Sequence, residues 1–411
     1  GSEMCIRDSL YLLQNEFYGK YVAAMRQAGY HGEIVSSNWQ AGRAASHFYN
    51  LHSDALVGTI DRHNYFGGSD GSVIRNSSML ALPGSGILSA GMQQVINRPF
   101  MLSEWIHVTP NEWGVEGPAI IGAYGMGLQG WDVSYMFQNR DQGQFSSEIA
   151  REQWDVTAPN VMAVFPAVSR QVLRGDVQES KELVASRVHI PSLSDAKLGV
   201  TDKVTQQYDI KTFESEEIPA RSLAVARCGV QFTEQYQDTP EFDVDSHMQG
   251  QALTSTTDEL KWYAGTSKLD GFCTIDTPGT KAVIGFASGR TCELGKVTIR
   301  PECRYAAIYV TAQESGRDIE DSNKLLIVAV ARARNSGMKI FNDDRLLAKG
   351  SAPILMEPVK ASITLPGTKP PTVHLLDHSG RRTGQQLHVD EGNRIEIDGA
   401  RDQTCYYLVT F

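Results

Sequence analysis

Pro99-Phe100-Met101-Leu102-Ser103-Glu104-Trp105 is an apolar run of strand length that ends on an acid beside a tryptophan. Three other segments carry the same pattern of an apolar run closing on polar and aromatic residues. They are Glu33-Ile-Val-Ser-Ser-Asn-Trp39, Ala55-Leu-Val-Gly-Thr-Ile-Asp-Arg-His-Asn-Tyr-Phe66, and Gly122 to Phe137 around Leu128-Gln-Gly-Trp-Asp132. The starts lie about 20 to 40 residues apart, which leaves room for a helix between each pair. That rhythm predicts parallel β/α units. In a barrel of such units the chemistry collects at the C-terminal ends of the strands. Asn38 and Trp39, Asp61, His63 and Tyr65, Glu104 and Trp105, and Trp131 and Asp132 are then expected at one end of the sheet. Four units make half of an eight-stranded barrel.

Upstream, Leu13, Phe17, Tyr21, Ala24 and Ala28 recur at three- and four-residue steps, the spacing of an amphipathic helix, and Gly29 stands where it stops. Residues 1–9 have no such period. Met4-Cys-Ile-Arg-Asp-Ser9 resembles translated adapter read-through at the ends of metagenomic sequences, so this leader is set apart as non-native. The natural chain is then expected to begin upstream. From about residue 180 the texture changes to short β-rich runs punctuated by Gly, Asp, Ser and Pro. Examples are Ser222–Ala226, Lys281–Phe286, Ala306–Thr311, Lys324–Val330 and Cys405–Thr410. The expected fold is therefore α/β plus all-β: a partial (β/α)8 barrel over 10–180, followed by a β-sandwich region over 181–411.

The 411 residues suffice for two or three domains, and 41% hydrophobic content can bury large cores. A net charge of −10 without a basic run argues against nucleic acid or an anionic membrane surface as partner. No apolar stretch approaches the roughly 18 residues of a membrane span. Outside the leader's Cys5 there are five cysteines, Cys228, Cys273, Cys292, Cys303 and Cys405, with no CxxC pair and no zinc spacing. Buried or free thiols are expected, with a disulfide among Cys273, Cys292 and Cys303 as the alternative.

Glu104 is the sharpest chemical signal. Glycosyl transfer through a covalent intermediate needs a carboxylate nucleophile on a rigid element, with a second carboxyl group about 5–5.5 Å away. Asn38, Trp39, Arg62, His63, Tyr65, Trp105 and Trp131 supply the aromatic faces and polar groups that bind sugars. Each also has a packing explanation: His63 as a strand cap, and Tyr65 and Trp131 as core. Gly125-Met-Gly-Leu-Gln-Gly130 matches GxGxxG but lacks the strand-then-helix context of a phosphate site, and reads as tight packing in a barrel strand. Asn15-Glu16 has the form of an acid/base dipeptide, yet the helical period puts Glu16 off the apolar stripe, on a solvated face. Asn76-Ser-Ser78 is a glycosylation sequon of a kind common by chance. No metal or organic cofactor is expected.

Ile34–Trp39, Ile60–Phe66 and Leu102–Trp105 resemble strands five, six and seven of clan A glycoside hydrolases, and Gly130-Trp-Asp132 resembles strand eight. More closely, the chain resembles large bacterial cellulase-like proteins related to family 5, known from environmental genomes. Val164-Phe-Pro-Ala167 and Arg174-Gly-Asp-Val177 look like their post-barrel segment, and Ile275-Asp-Thr-Pro278 and Leu325–Asn335 like their accessory β-domain. The resemblance implies a retaining mechanism on β-linked oligo- or polysaccharides. Glu104 would be its nucleophile, His63 and Tyr65 its strand-six pair, and Trp131 its strand-eight platform. It leaves the acid/base Glu of strand four without a secure counterpart; Glu16 is the weak candidate. It therefore implies a chain lacking its N-terminal half-barrel, inert alone and prone to associate. The expected location is secreted, periplasmic or cell-surface rather than cytoplasmic. The alternative is a non-catalytic carbohydrate-binding or scaffold protein with a degenerate barrel.

Overall fold

The computed structural model describes residues 2–40, 44–139, 144–207 and 210–411, with side chains from residue 9 onward and without that of residue 207. In the first part, helix α1 (Ser2–Gln27) and helix α2 (His47–Val57) precede strand β1 (Ile60–Gly67). Strands β2 (Phe100–Val108) and β3 (Val133–Met136) follow, and β1-β2-β3 form a parallel sheet in that order. A parallel bridge between Val35 and Thr59 sets the Glu33–Trp39 segment beside β1. The four predicted segments therefore lie side by side and parallel. The first holds by one bridge because its serines satisfy the local backbone and α2 instead: Ser37 Oγ accepts from Trp39 N, and Ser36 Oγ donates to Asp54. Among the described residues no barrel is closed.

The fourth segment departs from its expected form. Glu116–Ile120 is α-helical and continues as a π-helix through Leu128. Gly130 turns at φ +66°, and only then does β3 begin. A short apolar run reads alike as buried strand or buried helix. Here Gly125 and Gly127 allow close packing: a Cβ on them would come 2.7 Å from Trp131 and from Val177. The tight-packing role of the glycines holds, but in a helix.

Helix α1 runs through the leader. Its spaced apolar residues Leu10, Leu13, Phe17 and Tyr21 are more than half exposed, so the amphipathic face turns to solvent. Tyr11 touches α2, its ring 5.3 Å from that of Tyr49 and its hydroxyl 2.6 Å from His52 Nδ1.

Beyond the parallel sheet, Leu183–Val188 and Arg227–Phe232 pair in parallel, and Lys203–Gln207 and Ile210–Glu214 form a hairpin. Both pack on the first part: Lys211 Nζ donates to His63 O at 2.9 Å, and Cys228 N to Gln129 Oε1 at 2.8 Å. Ser222–Ala226, read from sequence as β-rich, lies largely in a 3-10 helix, Ala220–Ala224. The sandwich strands start later than residue 181. A ten-stranded sheet runs from the Met248–Gln249 edge to the Arg382–Leu387 edge, with Ala306–Ala312 and Lys324–Val330 at its centre. A four-stranded sheet (Cys292–Leu294, Val297–Pro301, Lys360–Thr364, Arg394–Asp398) shares an apolar core with it, in which Ile299, Ile363 and Ile397 meet Val283, Ile308 and Ile327. The expected β-rich region is therefore present as antiparallel sheets, the largest of ten strands.

The parts are joined by a continuous core and by polar ties. Trp113 is fully buried against Tyr305 and Phe286. Arg174 binds Asp176 at 2.9 Å and the carbonyls of Glu314 and Arg317, so the Arg174–Val177 segment clamps the second part. Asn335 exchanges two hydrogen bonds with the backbone of Ile149. The five described cysteines are free thiols, and no disulfide joins Cys273, Cys292 and Cys303. Burial pushes the Cys292 thiol up to about 11. Cys5 lies outside the described side chains. Asn76 is buried and exchanges hydrogen bonds with Glu112, so the folded chain hides the sequon. Among the described residues no helix is long and apolar enough to cross a membrane.

Candidate functional site

Side chains alternate across a strand, so Asp61, His63 and Tyr65 share one face of β1 while Arg62 and Asn64 share the other. In register, His63 stands opposite Glu104, and an irregularity between Arg62 and His63 leaves Ser103 as the extra residue on β2. This offset brings five side chains into one chain of contacts. Asp61 accepts from Ser103 N at 3.1 Å and Ser103 Oγ at 2.7 Å. Ser103 Oγ lies 3.0 Å from His63 Nε2, and His63 Nδ1 lies 3.3 Å from Glu104 Oε2. Tyr65 Oη donates to the same Oε2 at 2.7 Å. Ser103 spends its one proton on Asp61, so its oxygen accepts from His63 Nε2. Burial raises the Asp61 carboxyl above its ordinary value, and the two Ser103 hydrogen bonds oppose that rise.

Glu104 is thus held by one oxygen only. Its Oε2 accepts from Tyr65 and lies 3.3 Å from His63 Nδ1, while Oε1 has no hydrogen-bond partner among the described residues. The side chain is 32% exposed and lines a cavity of about 610 Å³ together with Trp39, Tyr65, Arg75, Phe137 and Trp154. Trp154 bridges the wall, its ring centroid 5.9 Å from Phe137 and 6.5 Å from Tyr65. Glu104 is the one carboxylate among the described residues of the lining.

The sequence-predicted residues divide. Glu104, Tyr65 and Trp39 line the cavity, and His63 supports Glu104 from beneath. Asn38 is exposed beside Trp39 but is not part of the lining. Arg62, expected to bind substrate, is 1% exposed on the opposite face of β1. There its Nη1 meets Asp54 Oδ2 at 2.9 Å and its Nε donates to Gln93 at 2.7 Å. Trp105 follows Glu104 and so faces the other way; it is buried against Gly117, with Nε1 donating to Ser134 Oγ at 2.8 Å. Trp131 is a correction of another kind. It precedes β3, beside Phe100 at the start of β2, with ring centroids 5.0 Å apart. That is the N-terminal end of β2, away from Glu104 at its middle, and Trp131 is core rather than platform. Glu16 is an exposed residue of α1, paired with Lys20 at 2.5 Å.

Phe137, Trp154 and Arg75 were not singled out from the sequence. Phe137 follows β3 directly, so a correct strand boundary would have found it. Trp154 and Arg75 sit on loops, where no period marks them. No cluster of His, Cys, Asp or Glu among the described residues could hold a metal ion. No family model, curated protein or solved structure matches the chain.

Proposed function

We propose that this chain carries the nucleophile and the aromatic cleft of a retaining glycoside hydrolase acting on β-linked glycans, with Glu104 as the nucleophile. The observation that carries the reading is the state of Glu104: a carboxylate at the middle of β2, held through Oε2 by Tyr65 with His63 Nδ1 3.3 Å away, its Oε1 without a partner among the described residues, in an aromatic-walled cavity. In the proposed reaction Oε1 attacks the anomeric carbon, the bond to the leaving oxygen breaks, and a glycosyl ester forms on Glu104. Water then attacks the same carbon and returns the carboxylate. Tyr65 orients the attacking group and the rings of Trp39 and Trp154 stack on sugar faces. We read the four parallel segments as strands five to eight of a (β/α)8 barrel, with Glu104 on the seventh.

An unactivated sugar leaving group also needs a proton donor, worth about 10²–10⁴-fold. With one carboxylate in the lining, that donor is assigned outside these walls, and Glu16 is not proposed for it. The same observation favours a second reading, a cleft that binds glycan without cleaving it. Aryl β-glycosides whose leaving group departs unprotonated separate the two. Turnover that disappears in Glu104→Gln supports the enzyme; glycan binding with no turnover supports the binder.

A further inference from the structure

We propose that the cavity at Glu104 takes a glycan bearing a carboxylate, a uronic acid unit, and that Arg75 is the residue that binds the acid. The inference rests on the glycan reading above and adds the class of sugar. Two charged residues line the cavity, Glu104 and Arg75, and they do different work. Glu104 is held through Oε2 by Tyr65 and keeps Oε1 for the anomeric carbon. Arg75 has no acidic partner among the described residues: its guanidinium makes one hydrogen bond, from Nε to the carbonyl of Gly67 at 2.9 Å. Both Nη groups are left for a ligand. In a chain of net charge −10, a cation kept unpaired in a cleft is a chemical choice of partner.

The placement of Arg75 is fixed from three sides. Its backbone N–H donates to Gly68 O at 2.9 Å, and its carbonyl accepts from Asn111 Nδ2 at 2.8 Å. The Nε bond to Gly67 then sets the plane of the fork. Gly67 and Gly68 have φ of +87° and +86°, and a Cβ on Gly68 would come 3.5 Å from Nη2. The pair of glycines thus turns the chain after β1 and leaves the guanidinium edge uncovered. A planar fork with two open nitrogens matches a carboxylate bidentately, which a neutral hydroxyl cannot do.

Isothermal titration of the intact chain tests this with oligogalacturonides, glucuronate-capped xylo-oligosaccharides, sulfated oligosaccharides, and neutral cello- and xylo-oligosaccharides of equal length. Glu104→Gln removes turnover during the titration. The expected result is about ten- to a hundredfold tighter binding of uronates than of neutral glycans at low salt, lost in Arg75→Gln and only partly kept in Arg75→Lys. Thermal unfolding of Arg75→Gln should match the parent, since the side chain is exposed. Neutral glycans binding as tightly as uronates, or a preference that survives Arg75→Gln, overturns the proposal and leaves the glycan reading intact. Sulfated glycans binding as tightly as uronates overturns the assignment to a carboxylate. If no glycan of either charge binds, the glycan reading falls with it.

Discussion

Replacing Arg62 by Leu tests whether the strand that carries the site is held from behind. The guanidinium and the Asp54 carboxylate are 1% and 0% exposed and meet at 2.9 Å. Arg62 also donates to Gln93 Oε1 at 2.7 Å and to Asp61 O at 2.6 Å, so its loss leaves three buried acceptors without their donor. Burial already raises the Asp54 carboxyl, and Arg62 is the largest opposing influence. Breaking one side of a buried pair costs about 3–5 kcal/mol, because the other charge stays behind. Unfolding entropy is about 2.1 cal/mol/K per residue, which for 411 residues unfolding as one unit is about 0.9 kcal/mol/K. The melting temperature should therefore fall by about 4–6 °C. The double variant Asp54→Leu/Arg62→Leu removes both charges and should recover most of that loss. Calorimetric unfolding of the parent, both single variants and the double variant gives the cycle. If Arg62→Leu unfolds like the parent but binds glycan more weakly, Arg62 reaches the substrate and the assignment of the two faces of β1 is wrong.

Asp202 gives a pH dependence. Burial first, then the charge of Glu217, raises its carboxyl from 3.8 to about 7. The folded state therefore holds a proton that the unfolded chain has released, and stability falls as pH rises from about 4 to about 7, by at most roughly 4 kcal/mol. Asp202→Asn should flatten that decline in urea titrations across the window; an unchanged slope contradicts the raised value. Trp131→Ala should destabilise by about 3–5 kcal/mol and leave glycan affinity alone, while Trp154→Ala should weaken binding about tenfold with under about 1 kcal/mol of stability lost. The two effects exchanged between these tryptophans would restore Trp131 as the platform. Leu13→Glu with Phe17→Lys should reduce self-association in light scattering, since both side chains are more than half exposed on α1; equal association of parent and variant would show that this face is inert.

The part of the site carried on β1 and β2 was legible because alternation and strand ends are local signals. The run Pro99–Trp105 marks where β2 begins, but the strand continues to Val108, so Glu104 lies at its middle rather than at its stop. The same alternation, applied one step further, separates Glu104 from Trp105 and His63 from Arg62; adjacency in sequence had kept each pair together. Gly122–Leu128 could not be settled locally. Its apolar, glycine-rich run suits a buried strand or a buried helix, and the contact of Gly125 with Trp131 that decides for the helix is tertiary. The error then moved the boundary of β3, sent Trp131 to the wrong end of the sheet, and hid Phe137. Trp154 and Arg75 were beyond reach for a different reason: loops that fold over a site carry no period. In the second part the long central strands were evident from their β-branched runs, whereas Ser222–Ala226 has a strand's composition and takes a 3-10 turn beneath the parallel pair.

Glu104 is the group proposed to attack an anomeric carbon. The direct measurement is intact-mass and peptide mass spectrometry after incubation with a 2-deoxy-2-fluoro-β-glycoside carrying a dinitrophenyl leaving group. That leaving group departs without a proton, so no acid is needed, and the fluorine slows release of the glycosyl enzyme. One glycosyl adduct per chain is expected, located on Glu104, absent in Glu104→Gln and formed more slowly in Tyr65→Phe. No adduct on a chain that nonetheless binds the glycoside, or an adduct on another residue, contradicts that role.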